Sequence, residues 1–552
     1  MCRLCPSRRG FDMATLWVSV AAANGIPIGN DGTGAADNNQ LPYLTFNAAE
    51  GAAGNGDTIY LNDGTHTVDG VAGGDIETPN LSVLGVTDYG ATMNYTGGAI
   101  TGRIIRIRAT GCTLGKFIID AGSNLTRAIE DASGPHLVFT VDGTYIRGDC
   151  TAELLQLDTI NDITFKGGWT IQLDAPDEHG LFITGATGGG TVDLSDGTII
   201  NQFSSNLDYD IYLAFNIAGY SVVIHDIDVQ VSMGTLTTGQ TKAVIRVLGA
   251  ATVEIYNITS SNSVITGNID LVAVQNSALA CTSCYIHDIS ASFSASPMTE
   301  PCSVVVVGNN DTTANDDSIT GIIIENITVG GANHGILMGH VTGGILRKCR
   351  VDLCVLGIVL KKTTSSFCEG NIVTRCNNVY ILNKEGTSDT IQFNTISMAT
   401  GGYETIGIRV GPGDTATDPE TPIIYNNIIH SPGTLTKAFD IESVSAITAT
   451  VKYNNIYVTG SVPADAYTLV ATDYATLTLF EAAQVTIADN TENDAALQSD
   501  YSILSTSSVY GIGVKTWGTA ARPNGYNDPI PDFDIDPGAM VSLDHPFHPT
   551  NL

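Results

Sequence analysis

The sequence predicts an all-β protein: a right-handed single-stranded parallel β-helix with a short N-terminal capping helix and an extended C-terminal segment. The first observation is a recurring short strand. The segments that begin at Gly335, Gly357 and Val379 are spaced 22 residues apart, and the segment at Gly407 follows 28 residues later. Repeats of about 20 to 50 residues are typical of solenoids, in which each unit buries its apolar face only against its neighbours. The crossover rule for parallel strands favours the right-handed form.

The second observation is another series of short strands, in which a polar residue precedes Ile or Val. A leucine-rich repeat would need regular Leu positions and an asparagine ladder in a fixed frame, and a propeller would need blades of about 40 residues. We see neither pattern. Gly, Asn, Asp and Ser punctuate the apolar runs, as turns between strands require. The members of the series are Asp226-Ile227, Asn257-Ile258, Asp288-Ile289, Asn326-Ile327, Arg350-Val351, Asn371-Ile372, Asn427-Ile428 and Asn455-Ile456.

The third observation is the composition. The chain has 552 residues, of which 59 are Gly and 43% are hydrophobic, which suits many tight turns around one long interior. Its formal net charge of -33 argues against a nucleic-acid partner, because phosphates need Lys and Arg. No stretch reaches the roughly 20 apolar residues of a membrane helix, so no membrane insertion is expected. Cys281 and Cys284 could form half of a zinc site, but no matching second pair follows.

The chain divides into four predicted segments. The basic opening is expected to be a non-native or disordered extension, with Met13 as an alternative start, and it makes no convincing signal peptide. A short helix is expected from Thr476 to Gln484, where the repeat is lost. The segments are an extension at 1–12, an N-terminal cap at 13–65, β-helix coils at 66–469, and a C-terminal cap and strap at 470–552.

Both ends resemble those of pectin-lyase-like β-helix proteins. At the N-terminal end, an acidic Gly loop at residues 29–34 and an Ala-containing segment at 42–49 precede Gly56-Asp57-Thr58-Ile59-Tyr60-Leu61. At the C-terminal end, Asp500-Tyr501-Ser502-Ile503-Leu504 and the segment 534–540 resemble the family's closing motifs. The resemblance implies the β-helix fold over nearly the whole chain. It leaves activity open, because this superfamily includes lyases, hydrolases, epimerases and phage tailspikes.

From this resemblance we expect a glycan-binding β-helix, most like a phage tailspike, a tail fibre or another surface-attachment module. Such a protein would be virion-associated or extracellular, with a polysaccharide as its partner, and a homotrimer because the related spikes are. The first alternative is a secreted polysaccharide lyase or glycoside hydrolase that acts on an acidic glycan. The second is a purely structural surface or filament solenoid.

The candidate binding residues form a basic stretch at 347–384. It holds seven of the 24 basic residues of an otherwise acidic chain, so it could hold an anionic polymer. His340, Lys362 and Lys384 follow their repeat strands by the same number of residues and are predicted to stack as one column, about 4.8 Å apart. The expected substrate-binding residues are His340, Lys361, Lys362, Lys384, Arg347 and Arg350.

Two catalytic arrangements are open. A lyase would need a base, plausibly Lys or Arg, and a cation or Arg that neutralises the substrate carboxylate, and Lys362, Lys384 and Arg375 could serve in these roles. A hydrolase would use Asp316 and Asp317 as its carboxylates, with His334 from a Gly-rich loop that distantly resembles that of polygalacturonases. No cofactor is required.

Calcium is the one metal for which the sequence offers a candidate site. Asp31 and Asp37 lie in a Gly-rich loop, and hard oxygen ligands of this kind suit Ca²⁺. The loop lacks the spacing of an EF-hand, and similar turns form without metal.

Overall fold

The computed structural model of the chain contains two compact units, residues 1–230 and 231–552. Each unit is a right-handed parallel β-helix, so the predicted fold is confirmed. The structure describes residues 13–30, 39–68, 74–95, 102–122, 125–131, 137–174, 179–185, 188–201, 209–215, 219–233, 242–260, 264–265, 269–276, 281–293, 303–308, 319–398, 405–411, 421–433, 437–442, 449–469, 472–483, 486–492 and 497.

In unit 1 each coil contributes one strand to a first sheet, sheet I, and further strands to a second, sheet II. Sheet I contains β4, β7, β10, β13, β16 and β18, and the other strands belong to sheet II. The elements are β1 (Thr15–Val18), α1 (Phe46–Ala52), β2 (Thr58–Leu61), β3 (Gly64–Val68), β4 (Gly74–Ile76), β5 (Ser82–Gly85), β6 (Ala91–Tyr95), β7 (Gly102–Ile107), β8 (Cys112–Gly115), β9 (Ile118–Asp120), β10 (Leu125–Asp131), β11 (Leu137–Asp142), β12 (Tyr145–Gly148), β13 (Leu155–Leu157), β14 (Ile160–Lys166), β15 (Trp169–Leu173), β16 (Leu181–Ile183), β17 (Gly190–Asn201), β18 (Tyr209–Ala214) and β19 (Tyr220–Met233), within which the two units divide.

Unit 2 repeats this plan. Its sheet I contains β20, β23, β25, β28, β32, β35, β38, β41, β44 and β45, a short pair joins β26 to β29, and the other strands form its sheet II. The elements are β20 (Lys242–Leu248), β21 (Thr252–Ser260), β22 (Val264–Ile265), β23 (Ile269–Gln275), β24 (Ser283–Ser292), β25 (Ser303–Val307), β26 (Ile319–Thr320), β27 (Ile322–Gly330), β28 (His334–Gly339), β29 (Val341–Thr342), β30 (Ile345–Arg347), β31 (Arg350–Asp352), β32 (Leu356–Lys361), β33 (Phe367–Glu369), β34 (Ile372–Thr374), β35 (Val379–Lys384), β36 (Thr390–Gln392), β37 (Thr395–Ser397), β38 (Ile406–Gly411), β39 (Ile423–Tyr425), β40 (Ile428–Ser431), β41 (Lys437–Ile441), β42 (Thr450–Lys452), β43 (Asn455–Val458), β44 (Tyr467–Leu469), β45 (Thr472–Tyr474), α2 (Leu477–Ala483) and β46 (Ile487–Ala488).

The core is a stack of aliphatic side chains, because parallel pairing in register places equivalent residues above one another. Ile336, Ile358 and Ile381 form one such inward column in unit 2, and all three are fully buried. Parallel pairing begins at β1, where Leu16 lies opposite Ile59, and extends to β46, where Ile487 lies opposite Val451. It therefore reaches beyond residues 66–469 at both ends.

Short helices lie near both ends of the described chain. Helix α1 begins after Thr45, whose Oγ1 accepts a hydrogen bond from the Ala48 amide, and it matches the predicted capping helix. Helix α2 lies within the predicted interval 476–484. Its Phe480 is fully buried and stacks on Tyr467, with ring centroids 5.4 Å apart. These apolar contacts hold α2 against the last coils of unit 2.

The predicted column of His340, Lys362 and Lys384 is wrong by one residue. His340 and Lys362 do share a position, but Lys384 lies opposite Lys361, because the coil from Leu356 to Val379 contains 23 residues. The preceding coil, from His334 to Leu356, contains 22. The extra residue lies in the corner between β34 and β35. A corner can absorb one more residue without moving the inward apolar side chains, so the apolar spacing alone did not reveal the shift.

A ladder of buried asparagines runs through unit 2. The sequence pattern was interpreted as lacking an asparagine ladder, and that interpretation is wrong. Each asparagine follows a corner residue with positive φ. The side-chain oxygen of Asn371 accepts from the Cys349 amide, and that of each later member accepts hydrogen bonds from the preceding asparagine. At Asn427, Oδ1 accepts from the Asn394 amide at 3.0 Å and from Asn394 Nδ2 at 2.9 Å. The ladder ends where Asn490 donates to Glu481 of α2. Its members are Asn371, Asn394, Asn427, Asn454 and Asn490.

The sequence series of a polar residue followed by Ile or Val, from Asp226 to Asn455, therefore combines residues from three different positions of the coil. Asn326 occupies a corner with φ of 55°, whereas Asn371 and Asn427 lie one position later, in the ladder. Asn455 lies one position further still and opens β43. Asparagine is favoured both at positive-φ corners and where its amide can bond to neighbouring backbone, so residue type alone did not separate these positions.

Candidate functional site

The outward side of sheet I in unit 1 carries an uninterrupted column of polar and aromatic side chains. The residue before each of the last five members, on the same strand, is Ile or Leu and is fully buried, so alternation along the strand turns the column outward. Strand pairing in register spaces neighbouring members about 4.8 Å apart. In coil order the column is Asp75, Arg106, Glu130, Gln156, Phe182 and Tyr212.

In the first half of this column, Arg106 and Glu130 belong to an arginine–carboxylate network that includes neighbouring side chains. Glu130 lies 2.7 Å from Arg103, 3.4 Å from Arg106 and 3.7 Å from Arg127. Arg127 also pairs with Glu153 at 3.0 Å. These side chains are partly buried, which weakens solvent screening and holds the guanidinium groups in fixed positions. The network thus presents ordered hydrogen-bond donors and acceptors on an outward surface.

Phe182 and Tyr212 of the column form an aromatic platform with His179, which lies just before the strand that carries Phe182. The ring centroids form a nearly equilateral triangle: 5.6 Å from His179 to Phe182, 5.6 Å from His179 to Tyr212 and 5.3 Å from Phe182 to Tyr212. All three side chains are partly exposed. Such a surface offers apolar ring area beside polar groups, the combination that favours stacking against the apolar faces of a sugar.

Gln156 joins the platform to the network. Its Nε2 donates to Asp158 Oδ2 at 2.7 Å, and Thr184 Oγ1 donates to Asp158 Oδ1 at 2.9 Å. Burial raises the pKa of Asp158; the Thr184 hydrogen bond opposes this effect and the charge of Asp131 adds to it. The side chains beside the platform are therefore already oriented by hydrogen bonds within the chain.

In unit 2 the structure separates the predicted basic residues onto different sides of the coil. Lys361 and Lys384 end strands of sheet I, side by side in register. Lys362 lies at the next corner, with Nζ 3.8 Å from Glu385, and His340 occupies the equivalent corner one coil earlier. These four residues thus lie at the end of sheet I strands and at the corner that follows them.

The three predicted arginines belong to sheet II and its corner. Arg347 donates through Nε to Glu325 at 2.6 Å, while Arg350 is exposed on the following strand. Arg375 occupies a corner with positive φ and is ion-paired with Asp352. Burial alone would raise the pKa of Asp352, but the hydrogen bonds from Arg375 and Thr374 lower it below its ordinary value. A base role for Arg375 remains a prediction.

His334 lies at the start of β28, on sheet I of unit 2. Burial lowers its pKa to about 4, and the charge of Lys361 acts in the same direction. Of the residues singled out from the sequence in unit 2, His334, Lys361 and Lys384 thus share sheet I.

Several predicted positions lie outside the described residues. These include the proposed hydrolase carboxylates and the calcium ligands. In the part of the chain that the structure describes, no cluster of three or more His, Cys, Asp or Glu side chains is arranged to hold a metal ion. No helix among the described residues is long and apolar enough to cross a membrane. The positions outside are Asp31, Asp37, Asp316, Asp317, the extension 1–12 and the strap from 498 onward.

No family model matches the chain, and no curated protein matches it. Among solved structures, an A-module of a mannuronan C-5 epimerase from Azotobacter vinelandii is 12% identical, with a TM-score of 0.30, over 74% of this chain and 94% of the epimerase chain. The catalytic unit of a thermostable α-1,3-glucanase from Streptomyces thermodiastaticus is 10% identical, with a TM-score of 0.32, over 73% and 66% of the two chains.

A pectate lyase is 14% identical, with a TM-score of 0.19, over 96% of this chain and 97% of the lyase. At such TM-scores none of these likenesses supports an argument about activity, and the fold is established by the strand pairing described above. The chain is thus a right-handed parallel β-helix, the fold of the pectin-lyase-like proteins that its ends resemble.

Proposed function

We propose that this β-helix binds a polysaccharide along the outward side of sheet I in unit 1. The main support for this proposal is the aromatic platform of His179, Phe182 and Tyr212. The same outward column leads in register from this platform to the arginine–carboxylate network. A long polymer suits such a ladder because the side chains recur at one strand spacing along the solenoid. The rings would stack on sugar faces, while Gln156 and the network would exchange hydrogen bonds with hydroxyl or carboxylate groups.

We further propose that the chain serves as a surface-attachment module of the tailspike or tail-fibre kind, in a virion-associated or extracellular setting and as a homotrimer. An attachment module must bind its glycan without cleaving it. A surface made of an aromatic platform and paired charges fits this requirement. Sedimentation of the purified chain tests the trimer, and retention on cells that display the bound glycan tests attachment. A monomer that binds the free glycan but not cells would overturn the attachment role while leaving glycan binding intact.

The first prediction concerns Tyr212→Ala. Removing this ring should weaken binding of the best ligand in a panel of acidic and neutral polysaccharides about tenfold, or about 1.4 kcal/mol, because one corner of the platform is lost. Affinity is measured by titration calorimetry. The matched control is Tyr457→Ala, which removes a ring that stacks on His430 at 5.7 Å in sheet II of unit 2. Equal losses in both variants would contradict the platform as the binding surface.

Cleavage of the glycan is a second candidate function, favoured by a charged group on the last strands of sheet I in unit 2. Asp440 is 4% exposed and lies 3.6 Å from Arg409 and 3.9 Å from Lys437. Burial raises its pKa, although both cations oppose this effect. A carboxyl whose pKa is raised by burial is a candidate general acid.

The second prediction concerns Asp440→Asn. If this carboxyl donates the proton to a leaving oxygen, the variant should lose at least about 100-fold in cleavage rate and keep its glycan affinity. Ultraviolet absorbance of unsaturated product would indicate a lyase, and new reducing ends without that absorbance would indicate a hydrolase. An unchanged rate would remove Asp440 from catalysis, and absence of cleavage across the panel by the wild-type protein would remove this second function.

A further inference from the structure

A second polar column, distinct from the platform in unit 1, lies at the start of the sheet I strands in unit 2. Asp270 lies opposite Ser303 in the next coil, as the Ser303 amide donates to Asp270 Oδ1 at 2.8 Å, and Ser303 lies opposite His334. The residues that follow them face the interior. Leu271 and Val304 are fully buried, and a Cβ at Gly335 would meet the side chain of Val351.

Two atoms of this column are buried with no hydrogen-bond partner: Asp270 Oδ2 and His334 Nδ1. A buried polar atom without a partner costs about 1–3 kcal/mol, so most such atoms in folded proteins are satisfied. Two in one column, separated only by Ser303, call for a physical explanation. A ligand that supplies hydrogen-bonding groups to both would remove this cost.

The side chains around Asp270 are small. Ala243 lies beside it in the preceding coil, Ala273 follows three residues later on the same strand, and Ser303 is its neighbour in the next coil. Asp270 and Ser303 are 2% and 3% exposed, so a ligand reaches them only when the surrounding chain opens, and slow association is expected.

The protonation states define what this column would bind. Burial raises the pKa of Asp270 to about 7, opposed by the hydrogen bonds of Ser303 and the charge of Arg246. Burial and Lys361 hold the pKa of His334 at about 4. At mildly acidic pH both groups are uncharged: Asp270 offers an O–H donor and His334 a neutral ring nitrogen. A hydroxyl group, which donates and accepts, complements both.

We propose that Asp270, Ser303 and His334 form a second ligand site that takes an uncharged, hydroxyl-rich group such as a sugar ring. Asp270 donates to one ligand oxygen, and His334 bonds to another through Nδ1. Because these bonds form away from bulk water, each contributes more than it would on an exposed surface. Ionisation of Asp270 removes the donor and leaves a buried charge, so binding is expected only below the pH at which this carboxyl ionises.

The test uses the full chain carrying Tyr212→Ala, in which the platform in unit 1 is expected to bind about tenfold more weakly. Neutral hexasaccharides of glucose, xylose and galactose are titrated by calorimetry at about pH 5.5 and about pH 8.5, on either side of the pKa of Asp270. We expect binding at the lower pH and at least about tenfold weaker binding at the higher pH. Adding Asp270→Asn, which keeps a donor at all pH values, should abolish this pH dependence while retaining the affinity.

Three outcomes would overturn the site: no binding of any hexasaccharide by the Tyr212→Ala chain, binding that does not change with pH, or an equal pH dependence in the Asp270→Asn chain. The ¹³C spectrum of the aspartate-labelled chain gives a direct readout. The resonance that is absent from Asp270→Asn should titrate with a midpoint near pH 7, and this midpoint should rise when the sugar is added. A resonance with an unchanged midpoint argues equally against the site. The platform is judged separately, by the affinity lost on Tyr212→Ala alone.

Discussion

Replacing Asn427 by alanine is expected to lower the free energy of unfolding of unit 2 by about 3–5 kcal/mol. The side chain is fully buried. Its Nδ2 donates to the Ile391 carbonyl and to Asn454 Oδ1, both at 2.9 Å, and its Oδ1 accepts two hydrogen bonds from Asn394. Alanine leaves these partners buried and unsatisfied in the middle of the ladder. In a solenoid the damage falls first on the adjacent coils, so local opening should accompany the loss.

Urea unfolding and amide hydrogen exchange across residues 391–454 test this expectation. The matched control is Asn377→Ala, because Asn377 is an exposed corner residue of the same type in the same unit. Its effect should stay within about 0.5 kcal/mol. Similar losses in the two variants would mean that the ladder contributes no more than an ordinary surface asparagine. A loss confined to exchange near Asn427, with unchanged global unfolding, would limit the ladder to local order.

The β-helix could be predicted because its inward residues obey one strict requirement. Ile336, Ile358 and Ile381 must remain apolar whatever the corners and loops do, so the repeat survives in the sequence. Periodicity also placed α2, since the repeat disappears where the helix begins. These features depend on residues near one another in sequence or on a spacing that varies little.

Register was less predictable, because a single residue in a corner changes every later outward position. Lys384 and Lys362 lie 22 residues apart, but the pairing is Lys384 with Lys361. The inward pattern tolerates the insertion, whereas the identity of an outward column does not. Functional columns are therefore the part of a β-helix for which sequence spacing is least reliable.

The aromatic platform was missed for the same reason. Phe182 and Tyr212 are 30 residues apart, while Gln156 and Phe182 are 26 apart, so the column has no constant period. One signal was available: His179 and Phe182 occur three residues apart at the start of a short apolar strand. Two arginines of the network, Arg103 and Arg106, also lie close in sequence, and Arg108 follows them among isoleucines. Local density of outward aromatic and arginine residues would have been a better guide than spacing.

A pH-dependent stability of unit 1 follows from Asp210. This carboxyl is 1% exposed; Asn201 Nδ2 donates to its Oδ1 at 2.6 Å, and Oδ2 has no partner. Burial raises its pKa to about 7, opposed by the Asn201 hydrogen bond. The folded chain therefore holds a proton that the unfolded chain releases near pH 4. Between these values folding binds a proton, so stability falls as pH rises and levels off above about pH 7.

The expected loss is on the order of 4 kcal/mol between about pH 4 and about pH 8, from a pKa difference of about three units. Asp210→Asn removes the ionisation and should be the more stable protein at pH 8, with nearly equal stability at pH 4. Denaturant unfolding of unit 1, followed by hydrogen exchange in β17 and β18, measures the difference between the two proteins, so pH effects common to both cancel. The exposed Asp88 provides the control: Asp88→Asn should leave the pH slope unchanged. An Asp210→Asn protein that keeps the wild-type slope would show that the buried carboxyl ionises without cost, through water or a cation that reaches Oδ2.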